Sequence, residues 1–359
     1  PTSAVVPRIA TGRSPTGAME PVSRGPRLPD NNFGLAPGWW PVAFSSEISD
    51  SPRGARLGAR EIAVYRERSG AVRALADRCP HRRLPLSMGR LTSHGLQCGY
   101  HGWTFDGATG QCTLIPDLRP DEKPAARFRI PTYPIVEAAG YVFLWTGSGP
   151  PDPHASPLPD PGARATLSPT WAVHGQAEVR APHAAIADAL LLNPGAALGL
   201  GWLLGGGDEI LRPEVTVDRS DVVARRHRLT WNLPRISSFD PVSRRITPAT
   251  VAATPATGMT VAAADPLRLG PVRIVVGLTP ASPYRSTVRW RIEADGRGGG
   301  LIAERCRWVG VARRLTGRVA RALEAAADSV ETVTDPAVDH LRELRAAIVG
   351  ETTVGEEMA

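Results

Sequence analysis

Two short stretches constrain this chain more than anything else in it: Cys79-Pro80-His81 and, after sixteen intervening residues, Cys98-Gly99-Tyr100-His101. Together they read Cys-x-His followed by Cys-x-x-His, two soft thiolates and two imidazoles. A tetrahedral zinc ion takes two cysteines and two histidines. Structural zinc sites, however, usually place two residues or more between paired ligands, and Cys-x-His is tighter than that. The same donors suit a [2Fe–2S] cluster in which two cysteines hold one iron and two histidines the other.

The flanks extend the pattern. Gly102-Trp103-Thr104-Phe105-Asp106-Gly107 follows at once, then Gly110-Gln111-Cys112 and Ile115-Pro116. This run resembles the Rieske domain of the Rieske non-haem iron oxygenases, in which Tyr-His-Gly-Trp, a hairpin and a closing Ile-Pro recur. The resemblance implies that Cys79 and Cys98 hold the inner iron and His81 and His101 the outer one. It also implies a reductase or ferredoxin as electron donor, and a trimeric or hexameric assembly. Further on, Val276-Gly277-Leu278-Thr279-Pro280 leading to Thr287-Val288-Arg289-Trp290 resembles a strand pair of the same family. The resemblance spans roughly residues 35 to 345, strong in the first half and thin in the second.

Length allows two domains, at roughly 150 residues each, and 42% hydrophobic with 21% charged residues is ordinary for a globular protein. The basic side is almost wholly arginine, Lys123 being the single lysine, and the net charge of +7 suits steering of an acidic redox partner. No basic stripe interleaved with aromatics points to nucleic acid. No apolar run of about 18 residues predicts a membrane span, and the start of the chain lacks the apolar core of a signal peptide. Of four cysteines two belong to the ligand motif, and Cys112 and Cys306 need not pair. A reducing, cytoplasmic setting is expected.

Taken in order, residues 1–30 are rich in Pro, Ser, Thr, Gly and Arg and read as a flexible tail, with packing onto a neighbouring subunit as the alternative. Residues 31–148 read as an all-β domain. Glu61-Ile62-Ala63-Val64-Tyr65-Arg66 alternates with period two, Ser69-Gly70 turns the chain, and Ala71-Val72-Arg73-Ala74-Leu75 returns to deliver Cys79. The cluster would sit on two loops at the tip, both histidines reaching the surface. Residues 149–163 form a Pro-, Gly- and Ser-rich linker in which His154 reads as an exposed loop residue. In the second domain, residues 164–350, segment 184–192 reads as a buried helix ended by Asn193-Pro194-Gly195. Strands are expected at 214–217, 222–231, 251–253, 272–278 and 284–293. Residues 311–349 carry helical periodicity, with Leu323, Val330, Val333, Val338, Leu341 and Leu344 inward, and residues 351–359 form a tail. The fold class is therefore α+β: an all-β ligand domain, then a helix-grip-like antiparallel sheet with a long C-terminal helix. Gly199, Gly201 and Gly205 to Gly207 follow a helix and lack dinucleotide-loop spacing, so they read as an irregular flexible loop.

The family pattern breaks in the second domain. The resemblance would place a mononuclear Fe(II) there, on Asn-x-x-Asp-x-x-His-x-x-x-x-His near residues 180–200 and on a later carboxylate. With Asp188 laid on the family helix, the ligand positions fall near Gly195 and Leu200, which cannot bind iron, and no histidine lies between His183 and His227. The remaining candidates are His174, His183, Asp188 and Asp328. His183 and Asp188 have a histidine-to-carboxylate spacing that an unorthodox site could use, against the plainer reading of a surface or capping histidine beside Pro182 and an ordinary helix residue.

Three functions follow. The leading one is a subunit of a hetero-oligomer that keeps its [2Fe–2S] cluster, has lost its mononuclear iron, and relays electrons to a catalytic partner subunit of related fold. The reaction served would be O2-dependent hydroxylation, demethylation or desaturation of a small organic substrate. The second is a self-sufficient oxygenase with an unorthodox iron site. The third is a structural or regulatory subunit.

Overall fold

The computed structural model describes residues 35–119, 121–147, 149–152, 155–161, 171–218, 221–231, 244–264, 271–294 and 311–357. The expected N-terminal tail, His154 and Cys306 lie outside the described residues. The first half forms three small antiparallel sheets. One joins β1 (Trp39–Phe44) to β10 (Tyr141–Trp145) and β9 (Ile135–Ala138). A second is the meander β2 (Arg53–Leu57), β3 (Arg60–Arg66) and β4 (Val72–Ala76). The third runs β5 (Arg90–Thr92), β6 (Gly95–Gln97), β7 (Thr104–Phe105) and β8 (Cys112–Leu114).

The alternation expected of β3 is there, but both of its faces are covered. Ile62 and Val64 join a core with Trp40, Val42 and Leu144, whereas Ala63 and Tyr65 join one with Leu75, Leu96, Phe105 and the two ligand cysteines. The second core is the floor under the ligand loops. Its edge closes at Gly110, where φ is +70° and an added Cβ would lie 2.0 Å from the Ile130 carbonyl oxygen, so only glycine fits.

The second half is built on one seven-stranded antiparallel sheet. Its strands are β11 (Trp171–Val179), β12 (Glu209–Asp218), β13 (Asp221–Trp231), β14 (Arg244–Ala253), β15 (Thr260–Ala264), β16 (Val272–Ser282) and β17 (Arg285–Ala294). Their order across the sheet is β11-β17-β16-β15-β14-β13-β12. Alternate residues supply two different packings. Val222, Ala224, Val251, Ile274, Val276, Val288, Trp290 and Ile292 face helices α1 (His183–Leu192), α4 (Val311–Val330) and α5 (Pro336–Glu357). From the opposite face, Val261 and Val275 meet Phe44, Tyr141 and Phe143 of the first domain. Each Val, Ile or Phe among them contributes about 1.5–3 kcal/mol when fully buried.

Polar clasps fix this domain seam. The Tyr141 hydroxyl donates to the Val275 carbonyl at 2.8 Å, and the Thr279 hydroxyl donates to the Pro41 carbonyl while accepting from Arg289. The Thr-Pro strand motif is thus where the sheet is fastened to the first domain.

Two expectations need correction. Residues 194–207 are not an irregular loop: they hold two short helices, α2 (Pro194–Ala197) and α3 (Gly201–Leu204). Gly195 lies so close to the backbone of Gly205 that an added Cβ would sit 2.2 Å from its carbonyl oxygen. The glycines serve close packing. The C-terminal helix is also not continuous. It breaks at residues 331–335, where Asp335 caps α5 by accepting from the N–H groups of Ala337 and Val338, and Pro336 opens the first turn. Helix α5 then continues through residues 351–357, set aside above as a tail.

Candidate metal centre

The two ligand loops are built alike. In the first, which leaves β4, the N–H of Cys79 donates to Leu84 at 2.9 Å and Arg83 N–H returns to the Cys79 carbonyl at 2.8 Å. Arg83 takes φ +61° to make that turn. In the second, between β6 and β7, the N–H of Cys98 donates to Trp103 at 2.8 Å and Gly102 N–H returns to Cys98 at 3.2 Å. Gly102 sits at φ +69°, where a side chain would strain the turn. In each loop the ligand cysteine's own amide ties the neck, so the cysteine lies at the base and the histidine beyond it.

Burial follows this layout. Cys79 and Cys98 are 2% and 3% exposed, whereas His81 is exposed and His101 half-buried. The imidazoles stand side by side, ring centroids 4.6 Å apart. Trp103 stacks on His81 at 4.9 Å with 14° between the planes, and Tyr100 covers His101 at 3.9 Å. All four donors line one small hollow, together with Arg82, Leu84, Tyr100 and Trp103.

Burial pushes the Cys79 thiol up to about 11, opposed by the N–H groups of His81 and Arg82 and reinforced by the Cys98 thiol that hydrogen-bonds to it. Desolvation lowers the His81 imidazole below its ordinary value, helped by neighbouring His101 and Arg82. A neutral imidazole is the form that ligates metal. Two buried thiols below two surface-edge imidazoles fit a [2Fe–2S] cluster with one buried and one outward iron. A single zinc ion needs all four donors around one point, and among the described residues no three His, Cys, Asp or Glu side chains form a group able to hold one ion. Cys112 is buried and unpaired, its thiol 3.5 Å from the Leu114 carbonyl.

The second-domain candidates are dispersed. His174 lies on β11 with its ring 4.4 Å from that of Phe44. His183 opens α1 without capping it. It is half-buried: its ring meets Trp40 edge-on at 5.4 Å, and desolvation, with nearby Arg345, pushes it down to about 4. Asp188 is five residues further along the same helix, about 140° around its axis from His183. Nor is Asp188 an ordinary helix residue. It is 4% exposed, and its two carboxylate oxygens accept from Arg342 at 2.8 Å and Arg345 at 3.0 Å. Asp328 is exposed on α4.

An ion network that no sequence motif announces lies at the C-terminal end of α1. Arg226, 1% exposed, donates to the Leu191 carbonyl at 2.8 Å, to Glu209 at 2.9 Å and to both oxygens of Asp335 at 2.7 and 3.0 Å. Arg228 donates to the Leu192 carbonyl at 2.7 Å and approaches Glu209 at 3.5 Å. The signal in the sequence is only the alternation of β13, which puts residues 226 and 228 on the same inward face as Val222 and Ala224.

Comparison with known proteins matches residues 38–134 to the Rieske [2Fe-2S] domain. The oxygenase component of dicamba O-demethylase from Stenotrophomonas maltophilia is 40% identical over 125 residues, 35% of this chain and 34% of that protein. Across the first curated relatives the match spans only about a fifth to a third of their own length. Structural likeness reaches further. Dicamba monooxygenase bound to dicamba superposes with a TM-score of 0.67 at 22% identity, covering 89% of this chain and 99% of that one. A reduced complex between oxygenase and ferredoxin in carbazole 1,9a-dioxygenase gives 0.60 at 17% identity, covering 88% and 90%.

Proposed function

We propose that this chain, a Rieske [2Fe–2S] domain carried on the fold of Rieske oxygenase components, is an electron-relay subunit. It would take electrons from a reductase or ferredoxin and deliver them to the mononuclear iron of a partner subunit that oxidises a small organic substrate with O2. The observation that carries this reading is the contrast between the halves. Four ligand-type side chains converge at the tip, while Asp188 gives both of its oxygens to arginines.

Cys79 and Cys98 hold the inner iron and His81 and His101 the outer one. When bound, the cluster supplies reversible one-electron transfer at a potential tuned by ligands, hydrogen bonds and exposure. The protein supplies the approach. His81 is exposed with Arg82 beside it in the same hollow, and Arg78, Arg83 and Arg90 of the flanking segments are exposed too. Met88 and Tyr100, 75% and 59% exposed, add apolar contact. Exposed arginines and apolar side chains on the segments that carry the histidines suit a donor with an acidic face, by steering first and docking second. In the second domain Arg226, Arg228, Arg342 and Arg345 pair with Glu209, Asp335 and Asp188 around α1, so these carboxylates are already engaged by guanidinium groups. The relatives' names support demethylation, hydroxylation or desaturation as the reaction served. Among the described residues no helix is long and apolar enough to cross a membrane.

Iron and acid-labile sulfide, measured on anaerobically reconstituted chain, test the proposal. Two irons with two sulfides are expected, and addition of an iron-replete partner oxygenase should oxidise the reduced chain. A third iron, removed by chelator without bleaching the cluster, would overturn the relay reading and return oxygen activation to this chain.

A further inference from the structure

Beneath the first ligand loop lies a charged group for which the electron-relay reading has no use. Asp77, two residues before Cys79, is 7% exposed, and among the described residues of the first domain it is the one charged side chain that is buried. Its carboxylate meets no Arg, Lys or His among the described residues. Both oxygens instead accept from a single residue, Ser87: one from the backbone N–H at 2.6 Å, the other from the hydroxyl at 2.5 Å. Gly54 makes room for the pair, since a Cβ there would lie 3.2 Å from the Ser87 hydroxyl and 3.4 Å from the carboxylate. Burying a carboxylate without a counter-cation is costly and persists where hydrogen bonds hold it.

The pair closes the first loop as a buckle, because residues 77 and 87 flank the segment carrying Cys79 and His81. It also reaches the second loop. Ser87 lies in the 3-10 turn Leu86–Met88, and the Met88 carbonyl packs on Gly99, where an added Cβ would be only 3.1 Å away. Gly99 is the residue after Cys98. The turn that carries Ser87 therefore touches both cysteine-bearing loops.

We infer that Asp77 is a positioning residue for the cluster, buckled to Ser87, which holds the two ligand loops in register and lowers the reduction potential through its buried negative charge. Two residues put the Asp77 Cα at most about 7 Å from that of Cys79 along the chain. A negative charge buried in the floor beneath the ligand loops disfavours reduction of a centre that becomes more negative when reduced. The inference rests on the [2Fe–2S] assignment.

The test uses full-length chain reconstituted with iron and sulfide, comparing wild type with Asp77→Asn, Ser87→Ala and Ser87→Thr. Redox titration followed by electron paramagnetic resonance gives the potential, and an iron chelator gives the rate of iron release. Asp77→Asn should raise the potential. Ser87→Ala should leave the charge in place and instead speed iron release about tenfold or more, with Ser87→Thr restoring the wild-type rate. Wild-type potential and release rate in both Asp77→Asn and Ser87→Ala would overturn the buckle while leaving the cluster assignment intact. Absence of iron and sulfide from wild type would sink the assignment itself. Should Asp77→Asn fail to fold, Ser87→Ala decides alone: an unchanged release rate refutes the inference.

Discussion

Replacing Arg226 by Met should be the most damaging single change in the second domain. The guanidinium is 1% exposed and bridges three elements: the end of α1 through Leu191, strand β12 through Glu209, and the start of α5 through Asp335. Its removal takes from Asp335, itself 5% exposed, the guanidinium that binds both of its oxygens, and leaves only the more distant charge of Arg228. Breaking a buried pair from one side costs about 3–5 kcal/mol, a large part of the roughly 5–15 kcal/mol that keeps a domain folded. The Asp335 side separates charge from capping. Asp335→Asn keeps an acceptor for the Ala337 and Val338 amides and leaves Arg226 its Glu209 partner, so about 1–3 kcal/mol is expected. Asp335→Ala also loses the cap, adding about 0.5–2 kcal/mol. The expected order of damage is therefore Arg226→Met above Asp335→Ala above Asp335→Asn. Urea denaturation at fixed pH gives the three values, and amide exchange at residues 337 and 338 should quicken in Asp335→Ala before it does in Asp335→Asn. An Arg226→Met penalty under about 1 kcal/mol, or the reverse order, would refute the claim that this network fastens α5 to the sheet.

Two further changes probe the seam and the desolvated histidine. His183 is held at about 4 in the folded chain, against about 6.5 unfolded. The unfolded state therefore binds the proton first, and folding stability should fall by about 3 kcal/mol as pH drops from 6.5 to 4. His183→Gln should flatten that window in urea titrations, and an unchanged slope would remove His183 as its cause. Thr279→Val should cost about 1–3 kcal/mol, because Arg289 loses its acceptor and the Pro41 carbonyl its donor at the domain seam. A melting temperature within a degree of wild type would show that the clasp carries no weight.

The ligand loops were legible because metal chemistry accepts few donors, and four of them in two short runs leave little choice. Helix α1 was legible too, its apolar run having no other stable fate than burial. Strand β11 was not: it contains Gly175, a poor strand former, because the Trp290 ring occupies the place where a Cβ would stand, 2.5 Å away. Strand β15 reads Thr260-Val261-Ala262-Ala263-Ala264, and alanine favours helix, so only the sheet around it makes it a strand. The fates of His183 and Asp188 were hidden for another reason. Their partners, Trp40, Arg342 and Arg345, lie more than a hundred residues away, and spacing along a helix says nothing of such contacts.

This difference explains why sequence likeness to the oxygenase component of dicamba O-demethylase spans 35% of the chain while likeness of fold to dicamba monooxygenase covers 89% of it. The first domain must present two thiols and two imidazoles on two loops of fixed spacing, and buried alternation on both faces of β3 fixes their floor. Few substitutions satisfy both demands. The second domain asks only that α1, α4 and α5 bury one face of a sheet whose other face carries the first domain. Ile186, Leu190 and Leu191 bury α1 whether or not the helix also bears ligands, and polar groups at its end need compensation rather than a particular identity. Arg226 and Asp335 supply that compensation from within the chain. A helix can therefore lose a metal's ligands and keep its place, provided a salt-bridged network takes over the polar end of the core.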